Sequence, residues 1–121
     1  MASGAPAKIC FERPAKDGRV IRLMKDRYDD HVLDEHPDLL RDFDYPASEI
    51  AKALETADQI KPGEWGNTQV YIGPVIYPTK GPFTKQARRM HVVVWREANN
   101  RGHVITGFSV PEKPKPAKAV K

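Results

Sequence analysis

Residues 90–96 (MHVVVWR) and 103–110 (HVITGFSV) carry the strongest strand signal in this chain. Valine and other β-branched or aromatic residues are frequent in both segments, and such residues favour extended structure. The residues between them include Asn99, Asn100 and Gly102, which are typical of a turn. The sequence therefore predicts a β-hairpin here, and the rest of the fold is interpreted around it.

Two helices are predicted upstream of this hairpin. A short strand over residues 19–23 precedes a helix over residues 25–35. Pro37 should end or kink that helix at His36, because proline disfavours helical geometry in the residue before it. A second helix is predicted over residues 46–57, where isoleucine and leucine recur at four-residue spacing among good helix formers.

Residues 68–77 predict a further strand that is irregular or lies at the edge of a sheet. Gly73 and Pro74 interrupt it and indicate a bend or bulge. The order of elements is then one strand, two helices and three strands with short connections. This order predicts an α+β fold, in which N-terminal helices pack on one face of a small antiparallel β-sheet.

The length and composition of the chain predict one small folded domain. The chain has 121 residues, of which 40% are hydrophobic and 30% charged. The domain is expected over residues 9–110. Residues 1–8 are interpreted as a loose lead-in, and residues 111–121, which alternate proline and lysine, as a tail without packed structure.

The net charge of +4 is unevenly distributed, because basic residues outnumber acidic ones from residue 80 onward. A basic flank favours an anionic partner without identifying it. Cys10 is the only cysteine, which excludes an internal disulfide and favours a reduced, cytoplasmic setting. We expect no membrane association, since neither an apolar signal segment nor the roughly 20 apolar residues of a transmembrane helix is found.

The stretch HVLDEHP, residues 31–37, holds two of the four histidines. A helical zinc pair needs histidines four residues apart, whereas His31 and His36 are five apart, or about 140° around a helix. A metal site, and a metal-dependent hydrolase built on both histidines and a carboxylate, is therefore the weaker interpretation. Two structural interpretations stay open. His36 can simply end the helix, and His31 can be a half-buried ring bonded to the backbone.

Three short motifs follow one another in a defined order. Residues 21–24 (IRLM) end the first strand, residues 31–38 (HVLDEHPD) close the first helix, and residues 104–108 (VITGF) lie in the last strand. In order and spacing, over residues 10–110, they resemble the barnase/EndoU/colicin/RelE-like nucleases of phages and toxin systems. The chain departs from the pattern of that group at Glu35, where an arginine is usual.

The resemblance implies RNA cleavage without a metal or cofactor, in which the ribose 2′-hydroxyl attacks the adjacent phosphorus. Histidine suits the proton transfers, since its unperturbed pKa of about 6.5 lies near neutral pH. His31 is the predicted principal acid or base, and His36 is the competing choice. Thr106, expected to share a strand face with Val104 and Phe108, is predicted to place its hydroxyl on the phosphate.

A loop with the sequence IYPTKGPFTKQARRM looks like an insertion and carries the basic residues predicted to hold RNA. Arg89 is the predicted catalytic cation and Arg88 a second contact to phosphate, because guanidinium groups bind phosphate with fixed donors. Lys80 and Lys85 are predicted to guide the substrate, and Tyr71 to stack on an unpaired base. Two further histidines, for which structural roles are favoured, are reserve candidates: His91 and His103.

The resemblance also implies a biological setting. Nucleases of this kind are toxin-like, can act on tRNA or another structured RNA, and are usually paired with an antitoxin or immunity protein. Two other functions stay open. One is a noncatalytic module that binds RNA or protein through the basic loop, and the other is the metal-dependent hydrolase.

Overall fold

The computed structural model describes residues 8–112, so the predicted lead-in and tail lie almost entirely outside the described residues. The described chain has an α+β fold, as predicted, in which six strands form one sheet. The strands are β1 (Ile9–Pro14), β2 (Val20–Met24), β3 (Gln59–Pro62), β4 (Thr68–Ile76), β5 (Arg88–Glu97) and β6 (Arg101–Pro111).

The sheet has the order β1-β2-β6-β5-β4-β3. All neighbours are antiparallel except β2 and β6, which are parallel. The predicted hairpin, β5 and β6, lies at the centre. β4 has the predicted irregularity, a register shift between Ile72 and Val75, but it is not an edge strand because β3 pairs with its outer side. The sequence did not predict β1 or β3.

The helical part of the chain is short and irregular. It consists of α1 (Lys25–Arg27), a π-helical turn (Tyr28–Val32), α2 (Leu33–Glu35), α3 (Asp38–Asp42) and α4 (Pro46–Glu55). The first three run on without a break, so the predicted helix over residues 25–35 is confirmed. His36 leaves the helical region with φ −131° and ψ 66°, which confirms that the helix ends before Pro37. Within residues 8–112, no helix is long and apolar enough to cross a membrane.

The core lies between the helices and one face of the sheet. On β5, Met90, Val92 and Val94 are fully buried and belong to the same cluster as Ile50 and Leu54 of α4. The alternate residues of β5 remain partly exposed on the other face. The sheet therefore has one covered face and one open face, because successive side chains of a strand point in opposite directions.

A β-bulge in β6 changes which side chains reach the open face. Val94 pairs with Val104, but Val93 pairs with Thr106, so Ile105 is an extra residue. Val104 is buried in the core, whereas Thr106 lies opposite Val93 on the open face. The prediction that Thr106 shares a face with Val104 is therefore wrong, because the bulge reverses the alternation between them.

The central contact between helix and sheet can be tested at Ile50. This side chain is fully buried, and a Cβ added to Gly107 of β6 would lie 3.1 Å from it. We expect Ile50→Ala to lower the free energy of unfolding by about 2–5 kcal/mol, because the tightly packed neighbours cannot move to fill the space that the substitution leaves. Urea unfolding followed by circular dichroism measures the loss.

Leu40→Ala is the matched control, because Leu40 is 49% exposed. Its effect should stay within about 0.5 kcal/mol. Should Ile50→Ala fail to fold, Ile50→Val should still cost about 0.5–1.5 kcal/mol. Equal losses at Ile50 and Leu40 would contradict the described core.

Candidate active site

A cavity of about 540 Å³ lies on the open face of the sheet. This volume is in the range of ordinary ligand-binding sites, about 300–1,000 Å³. Apolar side chains line one part of it: Val70, Val93, Ile105 and Phe108. Polar and ionisable side chains line the rest, among them Arg27, His31, Glu35, Lys61, His91 and Thr106. The arrangement combines an apolar surface with a small number of polar groups, as binding sites commonly do.

The helical segment reaches the open face because β2 leaves β6 early. β2 pairs with β6 only from Val20 to Arg22, and the chain then enters the helical segment beside the remainder of β6. Arg27, His31 and Glu35 recur every four residues and all line the cavity. Val32 is fully buried in the core. One side of this segment therefore faces the cavity and the other faces the core.

His31 lies beside a carboxylate at the edge of the cavity. Its Nε2 atom is 3.3 Å from Oε1 of Glu35, and both side chains are partly exposed. The two atoms are within ion-pair distance but do not form a hydrogen bond, so either ring nitrogen of His31 is a candidate proton acceptor. Glu35, the departure from the nuclease pattern, thus lies beside the predicted catalytic histidine.

Thr106 carries a polar atom without a partner. Its Oγ1 atom is buried and makes no hydrogen bond within residues 8–112. A buried hydroxyl without a partner costs on the order of 1–3 kcal/mol. Thr106 lines the same cavity as His31, but Oγ1 itself is buried, so its side chain must rotate for the hydroxyl to contact a ligand. The structure thus brings Thr106 and His31 to one cavity, and their joint role in a reaction stays a prediction.

The ring of Phe108 links two histidines at one side of the cavity. The ring centroid of His36 lies 5.3 Å from that of Phe108, and the centroid of His91 lies 5.5 Å from it. Phe108 and His91 line the cavity, whereas His36 contacts it only through Phe108. His31, and not His36, is therefore the predicted catalytic histidine that lines the cavity.

Two arginines with predicted roles in phosphate binding are engaged elsewhere. Arg89 places its guanidinium 2.9 Å from Asp58 and 2.8 Å from Glu112. Arg88 is only 8% exposed and binds Ser109. Neither lines the cavity. The structure thus does not support the predicted roles, because both guanidinium groups already bind residues that are close to them in the fold.

The predicted RNA-guiding lysines also lie away from the cavity. The backbone N–H of Lys80 donates to Asp42, and its Nζ is 3.7 Å from Asp44. Lys85 is exposed in the same loop and, like Lys80, does not line the cavity. This loop is therefore anchored beside α3.

Tyr71 is fully buried, and its hydroxyl is 3.0 Å from a carboxylate oxygen of Asp17. A side chain without exposed surface cannot stack on a nucleobase. The structure thus replaces the predicted stacking role of Tyr71 with a role in the core. Burial, followed by the contact with Asp17, raises the pKa of Tyr71, so its hydroxyl stays protonated.

The sequence interpretation missed several residues of the cavity, among them Arg27, Lys61 and Trp65. Arg27 and Lys61 make no ion pair with any other side chain of residues 8–112, and Trp65 is 64% exposed at the cavity. The spacing of Arg27, four residues before His31, was a usable signal. The positions of Lys61 and Trp65 depend on β3, which was not predicted.

In the part of the chain that the structure describes, no three His, Cys, Asp or Glu side chains come together as candidate metal ligands. Comparisons of the chain with protein-family models, curated proteins and solved structures found no match. The chemistry of the cavity is therefore the basis for a function.

The pH dependence that His91 gives to the free energy of unfolding tests the burial of this residue at the cavity. Burial lowers the pKa of His91 below the ordinary value of 6.5, and the charges of Lys61 and Arg89 lower it further. The unfolded chain then binds a proton more readily than the folded one. We expect the free energy of unfolding to fall as the pH drops below 6.5, and His91→Gln to weaken this dependence.

A nuclear magnetic resonance titration of the histidine rings measures the midpoint directly. The His91 signal, assigned by its loss in His91→Gln, should titrate below pH 6.5. A midpoint at or above 6.5 would contradict the described burial.

Proposed function

We propose that the protein is a metal-independent endoribonuclease. The observation that carries this proposal is the convergence of Arg27, His31 and Thr106 on one cavity, with Glu35 3.3 Å from His31. Phosphodiester cleavage by an internal nucleophile requires a group that accepts and returns a proton and groups that stabilise the developing charge. A histidine supplies the first function, and an arginine with a neighbouring hydroxyl supplies the second.

In the proposed reaction, a ring nitrogen of neutral His31 accepts the proton of the ribose 2′-hydroxyl. The bond between O2′ and phosphorus forms as the bond between phosphorus and O5′ breaks. The imidazolium then returns its proton to O5′, so the products are a 2′,3′-cyclic phosphate and a 5′-hydroxyl. Glu35, whose Oε1 atom is 3.3 Å from Nε2 of His31, helps to hold the ring at the edge of the cavity. DNA, which lacks the 2′-hydroxyl, is not cleaved.

Arg27 takes the role that the sequence had suggested for Arg89. It lies one helical turn from His31, lines the cavity and has no ion-pair partner among the described residues. A free guanidinium can donate two hydrogen bonds to a phosphate and stabilise the charge that develops there. Rotation of the Thr106 side chain would bring its buried hydroxyl to the cavity, where it supplies a further hydrogen bond to the same group.

The proposal includes membership of the barnase/EndoU/colicin/RelE-like group. In that case the protein is a toxin-like nuclease of the bacterial cytoplasm, acts on tRNA or another structured RNA, and has an antitoxin or immunity protein as its partner. The α+β fold, in which the helices precede most of an antiparallel sheet, is compatible with this group.

A noncatalytic RNA-binding module is the second candidate. The exposed Trp65 and the unpaired Lys61 favour it, because they suit binding without contributing to proton transfer. The two candidates differ in whether RNA is cleaved.

The ribonuclease proposal predicts cleavage of total bacterial RNA in the presence of EDTA, with loss of activity in His31→Ala. Removing an acid–base group should lower the rate by about 10²- to 10⁴-fold. Denaturing gel electrophoresis measures the rate, and circular dichroism checks that the variant is folded.

Lys85→Ala is the control, because Lys85 is exposed and lies outside the cavity. Its rate should match that of the unsubstituted protein. RNA that is bound but left intact would favour the noncatalytic module, and unchanged cleavage by His31→Ala would refute the assigned base.

A second prediction separates Arg27 from Arg89. Arg27→Gln should lower the cleavage rate by about 10²- to 10³-fold, the usual loss when one donor to a developing charge is removed. Arg89→Gln should leave the rate per folded molecule nearly unchanged, since the Arg89 guanidinium already binds Asp58 and Glu112.

Single-turnover cleavage, corrected for the folded fraction, measures both variants. The opposite order of effects, with Arg89→Gln inactive and Arg27→Gln active, would restore the sequence-based assignment and refute the present one.

A further inference from the structure

Trp65 is a large aromatic side chain that is exposed to solvent. It is 64% exposed in the connection between β3 and β4, and it lines the cavity. Its backbone is fixed, because the amide and the hydroxyl of Thr68 both donate to its carbonyl oxygen. An exposed aromatic ring on a fixed backbone loses little further freedom when it binds a ligand. Trp65 is therefore suited to a contact that is absent in the free chain.

The charges beside Trp65 indicate the kind of ligand. Lys61 and Arg27 line the same cavity, and neither makes an ion pair within residues 8–112. Glu35 opposes them but lies against His31. Glu64, the residue before Trp65, is the other carboxylate that lines the cavity. Two available cations around an apolar surface suit a ligand that joins a flat ring to an anion, as a nucleotide does.

We propose that Trp65 stacks on an unpaired base, so that the cavity takes single-stranded nucleic acid rather than a duplex. This deepens the proposed function, on which the choice of RNA as the natural ligand rests. In a duplex the neighbouring bases cover both faces of each base, so Trp65 has no face to contact. In a single strand, the base stacks on Trp65 while the adjacent phosphate lies toward Arg27.

Fluorescence tests this proposal without requiring cleavage. The chain has two tryptophans, and Trp95 does not line the cavity, so Trp95→Phe leaves Trp65 as the single reporter. The probe is a short oligodeoxythymidine, which presents unpaired bases but lacks the 2′-hydroxyl and is not cut. We expect saturable quenching of Trp65 fluorescence, and weaker binding of a duplex of equal length.

Substitutions measure how much the ring contributes. In fluorescence anisotropy with labelled oligodeoxythymidine, Trp65→Ala should weaken binding by roughly 5- to 150-fold, and Trp65→Phe should restore part of the loss. Tyr77→Ala is the matched control, because Tyr77 is 55% exposed but does not line the cavity. Its affinity should equal that of the unsubstituted chain.

The outcomes separate this proposal from the ribonuclease proposal. Quenching together with weaker binding by Trp65→Ala supports the stacking role even if RNA is never cleaved. Equal binding by Trp65→Ala and the unsubstituted chain overturns it, even if RNA is cleaved. Tighter binding of the duplex than of the single strand, or no binding of either, also overturns it.

Discussion

β2 and β6 pair in parallel over only three residue pairs, from Val20 with Arg101 to Arg22 with His103, and the candidate site depends on this short contact. β2 remains paired with β1 as far as Met24, so it separates from β6 before it ends. The helical segment then occupies the space beside the rest of β6. A longer pairing would place a strand there, and His31 would not lie in one cavity with a side chain of β6.

Two local irregularities orient the side chains within this frame. In the π-helical turn the N–H of Leu33 donates to the carbonyl of Tyr28, one residue further back than in an α-helix. In β6 the extra residue Ile105 turns Thr106 toward the cavity and leaves Val104 in the core. Both kinds of irregularity are frequent at functional sites, and a bulge there changes the direction in which a side chain points.

The fold was predictable from sequence where the signal was local. A proline directly after a helix, valine-rich strands and turn residues act within a few positions, so the central hairpin and the helix end at His36 were predicted correctly. β1 and β3 were missed because they are short edge strands whose residues are mostly exposed and do not alternate between polar and apolar in a regular way. Pairing with β2 and β4 stabilises these two strands, and their own sequences carry little strand signal.

The candidate site was also predictable only in part, because some of its features depend on contacts between distant parts of the chain. His31 and Thr106 were selected by motif, and the structure brings them to one cavity. The choice of arginine failed, because the partners of Arg89 lie 31 and 23 residues away in the chain and no local pattern links them. The prediction that Thr106 and Val104 lie on the same face of the sheet was also wrong, since a strand pattern does not reveal where a bulge falls.

The net positive charge of the chain does not by itself show where an anion binds. Many arginines on this fold hold the structure together, as in the ion pairs of Arg13 with Glu55, Arg22 with Glu97 and Arg41 with Asp42. A paired guanidinium contributes little field and few free donors to a ligand. The position of the cations that keep no partner, and not the net charge, therefore identifies where an anion can bind. On the described part of this chain, Arg27 and Lys61 are two such cations, and both line the cavity beside His31. Other cations without an ion pair, such as Lys52 and Lys85, do not line it, so the cavity is distinguished by combining two of these cations with an apolar surface.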